Sequence, residues 1–224
     1  MEAPCQPLAV PFEGAELDGV LCHDTDHQTA LLLCHGAGAG FQHKTMERLA
    51  QSLHEVSITT LRFNFPFMQA GKRRVDANEI ATAAVIAAAS QLRERVELPL
   101  FLGGHSFGAR MTTHAALALP ADLDVKGLVL CSFPLHLAKK PAIKRATHLP
   151  EVALPMLFLS GTRDALADRI LWQEQVDRLG DKARLQWLET ADHSYNLLKR
   201  QRPGVDVFAE MAEHVKTFVT QITG

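Results

Sequence analysis

No stretch of this 224-residue sequence is apolar for long enough to cross a bilayer. The most apolar internal run, Ala81 to Ala89, is mostly alanine and falls far short of the ~20 residues a spanning helix needs. Residues Met1 to Val10 carry an early glutamate and two prolines, and lack the basic head and continuous apolar core of a secretion signal. Neither sign of charge is in excess: 23 Lys and Arg stand against 25 Asp and Glu, a formal −2. That balance supplies no basic face for nucleic acid and no polybasic anchor for a membrane. Cysteine is scarce. The four present (Cys5, Cys22, Cys34, Cys131) form no CxxC pair and show no regular spacing. With no export signal, they are expected as free, mostly buried thiols of a cytoplasmic protein. Metal-ligand spacings are missing as well, HExxH among them, so no metal is expected.

What is present suits an ordinary globular chain, 47% hydrophobic and 21% charged. A chain of this length can bury a core without disulfides or a structural metal, and residues 1–224 are expected as a single domain. Short apolar runs alternate with helical patterns from residue 28 onward. The runs Ala30 to Cys34, Ile58 to Phe63, Leu100 to Gly103, Val125 to Cys131, Met156 to Ser160 and Leu185 to Leu188 are predicted strands. Helical spacing connects Met46, Leu49, Ala50 and Leu53, then Trp172, Val176 and Leu179, and finally Phe208, Met211, Ala212, Val215 and Phe218. Two more helices are predicted from Asp76 to Val96, packing through Ile80, Ala83, Ala84 and Ala87, and from about Phe107 to Leu119. Turns near Gly14 and Gly19 suggest a lead-in hairpin. The fold class is α/β, a mainly parallel twisted sheet with helices on both faces.

Chemistry concentrates in Gly103-Gly104-His105-Ser106-Phe107-Gly108, which contains G-x-S-x-G between a strand and a helix. In that setting the serine sits on a strained turn, and strand and helix approach so closely that the flanking positions must be tiny. An idle serine on a glycine-rich turn would give the same letters without that context. Earlier, His35-Gly36-Ala37-Gly38-Ala39-Gly40 follows a strand, where backbone N–H groups could stabilise an oxyanion; Phe107 and Ala37 are the candidate donors. A nucleotide loop is the competing reading, but no Gly-Lys-Ser/Thr follows and GxGxxG is not met.

A serine needs a base, and the base an orienting carboxylate. Asp164 stands just past a strand in Ser160-Gly161-Thr162-Arg163-Asp164, and His193 just past the last one in Ala191-Asp192-His193-Ser194. Asp168 lies a helical turn too far on, and Asp192 is too near its neighbour to fix the ring. His35 and His105 flank the serine, but their positions suit neither base nor acid. Lys72-Arg73-Arg74 reads as a solvated loop. Arg62 and Arg110 lie near the strand end and the serine, where each could hold an acidic substrate or form a structural salt bridge.

Taken together, HGAGAG at His35–Gly40, RFNFP at Arg62–Pro66, GGxSxGxR at Gly103–Arg110, SGTRD at Ser160–Asp164 and DHS at Asp192–Ser194 resemble the α/β-hydrolase superfamily. The likeness is to its small dienelactone-hydrolase-like branch and spans nearly the whole chain. It implies a Ser-His-Asp hydrolase with Ser106, His193 and Asp164 in those roles. True dienelactone hydrolases usually place cysteine where this chain has Ser106, so that substrate is not implied. The 134–154 stretch is too short for the cap domain many relatives insert there. An open mouth walled by Phe65, Phe67, Met68, Phe107, Phe133 and Leu135 is expected, though each of these could instead be core.

The expected activity is hydrolysis of a carboxylic ester, thioester or lactone of a small molecule through an acyl-enzyme on Ser106, without a cofactor. Neither nucleic acid nor membrane is an expected partner. A non-catalytic interaction module that keeps the fold, or an acyltransferase, is the alternative.

Overall fold

The computed structural model describes residues 4–224. Its first 25 residues hold four short strands: β1 (Cys5–Pro7), β2 (Val10–Phe12), β3 (Ala15–Leu17) and β4 (Gly19–Cys22). Strands β2 and β3 form a separate hairpin turning at Glu13 and Gly14, both at positive φ (48° and 78°). Six strands follow: β5 (Thr29–Cys34), β6 (Ile58–Phe63), β7 (Leu100–His105), β8 (Val125–Cys131), β9 (Met156–Gly161) and β10 (Ala183–Leu188). The main sheet runs β1-β4-β6-β5-β7-β8-β9-β10. From β6 to β10 every pairing is parallel, and β4 and β1 extend the β6 edge antiparallel. All six residues of β5 and of β6 are buried, as strands covered on both faces must be.

The helices are α1 (Lys44–Glu55), α2 (Pro66–Gln69), α3 (Asn78–Arg95), α4 (Phe107–Ala115), α5 (Arg169–Leu179) and α6 (Val207–Thr223). One apolar layer packs α3, α4 and α5 on one face of the sheet, and a second packs α1 and α6 on the other. The stripes expected on α1 and α6 are the buried ones: Met46, Leu49, Ala50 and Leu53, then Phe208, Met211, Ala212, Val215 and Phe218. Helix α3 differs. Its buried face is Ala81, Ala84, Val85, Ala88, Ala89 and Leu92, while Ile80 is 40% exposed. A helix apolar on nearly all sides carries no phase for periodicity to detect.

The cysteine expectation needs correction. Cys34 and Cys131 are free and buried, and burial pushes both thiols up to about 12. Cys5 and Cys22, however, are joined in a disulfide. They stand opposite each other where β1 pairs with β4, a cross-strand relation set by register and invisible in spacing. A reducing setting therefore no longer follows from the thiols. No described helix is long and apolar enough to cross a membrane.

Candidate active site

The sheet delivers its reactive groups at the carboxyl ends of adjacent parallel strands, where side chains from distant parts of the chain meet. Strand β7 ends at His105 and α4 starts at Phe107, leaving Ser106 alone at the turn with φ 54° and ψ −110°. That conformation costs an L-residue about 1–3 kcal/mol. It is enforced by crowding: a Cβ on Gly104 or Gly108 would run into the Cys34 carbonyl of β5. The Ser106 N–H donates to the Cys131 carbonyl at 2.9 Å, fixing the elbow to β8.

Two loops bring partners to the hydroxyl. Beyond β9, Asp164 is buried and accepts the Leu166 N–H through Oδ1 at 2.8 Å. Its Oδ2 accepts from His193 Nδ1 at 2.8 Å, and His193 Nε2 lies 2.9 Å from Ser106 Oγ. With Nδ1 donating to the carboxylate, Nε2 presents a lone pair to the serine hydroxyl. The structure thus brings Ser106, His193 and Asp164 into one hydrogen-bonded chain. The other two aspartates are occupied elsewhere. Asp168 caps α5 by accepting from the Ile170 and Leu171 N–H groups, both at 3.0 Å. Asp192 braces the histidine loop, accepting from the Ser194 and Asn196 N–H groups at 2.9 Å. Partial burial raises its pKa, but the Asn196 and Ser194 bonds outweigh this and hold it below the usual carboxylate range.

The two histidines beside the serine hold backbone. His105 Nε2 lies 3.0 Å from the His193 carbonyl and donates to it, while its ring stands 5.3 Å from that of His193. Burial lowers the His105 pKa to about 4, so the ring is a neutral donor near pH 7. His35 accepts the Phe65 N–H at Nε2 (3.0 Å) and donates from Nδ1 to the Gly36 carbonyl at 2.7 Å. It too is lowered to about 4 by burial. That second bond orients the Gly36–Ala37 peptide, and in a trans peptide the Ala37 N–H points opposite to the held carbonyl.

Sequence reasoning missed the work of RFNFP. Arg62 is neither salt-bridged nor open to a substrate: it is buried and its Nη1 donates to the Phe41 carbonyl at 3.0 Å. Asn64 Oδ1 accepts the Phe41 N–H at 3.3 Å. With Phe65 bonded to His35, the segment 62–65 grips both ends of the glycine loop 36–40. The signal was the adjacency of β5 and β6 in the sheet, which places the two loops side by side.

Ser106 and His193 open onto a cavity of about 320 Å³ lined by the 36–39 loop, His43, Thr45, Met46, His105 and Ser194. A larger cavity of about 500 Å³ beside Arg48 and Lys199 contains none of these catalytic candidates. The expected aromatic mouth is not there. Phe65, Phe67, Phe133 and Leu135 are fully or almost fully buried, Phe107 is 6% exposed, and Met68 is packed half-buried against the core. Phe65, Phe67 and Phe107 pack mainly edge to face, which makes them core under the elbow. Between β8 and β9 there is a single 3₁₀ turn, Leu149–Glu151, and no α-helix.

Residues 27–221 match the family described as an alpha/beta hydrolase domain. Among solved structures, the chain is similar to a dienelactone hydrolase from Anabaena variabilis, at 18% identity and TM-score 0.79, covering 99% of each chain. It is also similar to a serine hydrolase without lid from Xanthomonas campestris, at 20% identity and TM-score 0.71, covering 96% of this chain and 94% of that one. An alpha-beta serine hydrolase homologue from Coxiella burnetii follows at 19% identity and TM-score 0.73, covering 95% and 96%. These identities speak to fold alone. With the family match spanning most of its length, the chain belongs to the α/β-hydrolase family and has the architecture of its dienelactone-hydrolase-like branch.

Proposed function

We propose that the protein is a carboxylic-ester hydrolase working through an acyl-enzyme on Ser106. The observation that carries this reading is the chain from buried Asp164 through His193 to Ser106 Oγ, at 2.8 and 2.9 Å. Ser106 Oγ attacks the acyl carbon as its proton passes to His193 Nε2, and Asp164 stabilises the resulting imidazolium. The N–H groups of Phe107 and Ala37 receive the oxyanion. Among the described residues neither donates to another protein group, and both flank the cavity or the serine. Collapse expels the alcohol with the His193 proton, and water, deprotonated by the same ring, releases the acid.

The cavity volume favours small acyl groups, and thioesters or lactones would use the same groups. A purely structural role accounts poorly for an elbow that strains Ser106. The Xanthomonas campestris protein is described as a serine hydrolase without lid, which agrees with the short 134–154 connection here. The test is covalent labelling with a fluorophosphonate, read by intact mass. One adduct is expected on the natural protein and none on Ser106→Ala; labelling that survives in the alanine variant removes Ser106 from the mechanism.

A further inference from the structure

Arg62 is a buried charge with no carboxylate bonded to it among the described residues. Glu47, on α1, is the acid whose charge reaches it, but Glu47 is exposed and forms no ion pair with it. The guanidinium is left with neutral acceptors. Nη1 donates to the Phe41 carbonyl at 3.0 Å, and Nη2 lies 4.0 Å from Cys22 Sγ, one half of the Cys5–Cys22 disulfide. Nε is buried and makes no hydrogen bond. Burying a charge is unfavourable unless it is paired, so this arrangement lacks an anion.

A second buried donor is idle at the same place. Thr60 stands directly opposite Cys22 where β4 pairs with β6, and Arg62 is the next residue along β6 on that face of the sheet. Thr60 is fully buried and its hydroxyl makes no hydrogen bond. Both donors are therefore set around one sulfur that, within a disulfide, accepts only weakly. A thiolate at Cys22 would give Arg62 its counter-charge and Thr60 its acceptor. The titratable group next along the chain, His23, is occupied by Thr59 Oγ1 at 2.7 Å. Burial without a cation acts the other way, as it does on the thiols of Cys34 and Cys131. The two halves of the disulfide also differ in access: every residue of β1 is exposed, Cys5 included, whereas Cys22 is 2% exposed.

We propose that the Cys5–Cys22 disulfide is a thiol-exchange site, which takes up a small thiol on Cys5 and releases Cys22 as a thiolate held by Arg62 and Thr60. The incoming thiolate attacks Cys5 Sγ, the sulfur it can reach. A bond forms between those two sulfurs, the Cys5–Cys22 bond breaks, and its electron pair goes to Cys22 Sγ. The thiol is oxidised and Cys22 reduced, so no other oxidant enters. A sulfur that ionises readily leaves faster, and Arg62 therefore speeds the opening. Attack by the Cys22 thiolate on Cys5 Sγ expels the thiol and restores the bond.

The probe is reduced glutathione in graded excess, with acid quenching, intact mass and peptide mapping. None of these readouts involves Ser106, so the result is independent of the esterase reading. A glutathione adduct is expected on Cys5, with Cys22 free. Arg62→Gln should slow the opening about tenfold, through a poorer leaving group, while Arg62→Lys keeps most of the rate. These rates use the intact disulfide and require no change at either cysteine. In Cys5→Ser, Cys22 is a permanent thiol whose ionisation is followed by the ultraviolet absorbance of the thiolate, with the Cys5→Ser/Cys22→Ser protein as blank. Half-ionisation is expected below the ordinary thiol value of about 8.5, and above it once Arg62→Gln is added. Circular dichroism checks that each variant is folded. The proposal is overturned by an adduct on Cys22, by a disulfide that stays closed where cystine is opened, or by opening as fast in Arg62→Gln as in the natural protein. Half-ionisation of Cys22 at or above the ordinary value overturns it as well.

Discussion

At the residue scale, Asp164 decides which His193 nitrogen faces the serine. An amide in its place could offer the ring an N–H and stabilise the tautomer that points a proton at Ser106. Asp164→Asn is therefore expected to lower turnover of an activated aryl ester by about 10⁴. Asp168→Asn and Asp192→Asn should each cost less than about tenfold, or ~1.4 kcal/mol of barrier, because asparagine still caps a helix or braces a loop. Steady-state rates, taken after circular dichroism has shown each variant folded, check the order. His105 is a finer case, since it donates to the His193 backbone and is held neutral by burial. His105→Gln retains a donor near Nε2 and is expected to keep most of the labelling rate. His105→Phe fills the space without a donor and should slow fluorophosphonate labelling about tenfold, the worth of one neutral hydrogen bond. Equal rates in the two variants would mean that packing alone holds the loop.

At the scale of elements, the glycine loop and the 62–65 segment act as one unit across the β5–β6 seam. Removing the Asn64 side chain frees the Phe41 N–H and loosens the loop that carries Ala37. Asn64→Ala is expected to lower kcat about tenfold to a hundredfold with KM little changed, as for a weakened oxyanion donor. Here the reach of the sequence can be judged. Strands β6 and β8 are legible to the residue because apolar runs bounded by turns leave little choice of ends. Ser106, Asp164 and His193 could be singled out because each lies at or shortly after the end of a strand, and parallel strands end on one edge. Three features were illegible for physical reasons. Alanine on every side hides the phase of α3; cross-strand register hides Cys5 opposite Cys22; and apolarity alone does not tell a pocket wall from core, as Phe65 and Phe67 show.

For the molecule as a whole, His35 and His105 link stability to pH. Both are held near 4 by burial, against 6.5 for a free histidine, so the unfolded chain takes up their protons first as pH falls. Their stabilising effect is complete above about pH 6.5 and is lost progressively toward pH 4. The loss is on the order of 3 kcal/mol per histidine at most. Thermal melts should fall through that window, and the slope should flatten in His105→Gln; a slope unchanged in that variant would place the linkage elsewhere. The strain at Ser106 has a consequence of another kind. Glycine adopts φ 54° without steric strain, so Ser106→Gly is expected to raise Tm by about 2–4 °C for each kcal/mol by which the relieved strain exceeds glycine's added chain entropy, while abolishing labelling. Position 106 therefore has a preferred direction of drift. A chain of this fold with no use for a hydroxyl at that turn would gain foldability by exchanging the side chain for hydrogen.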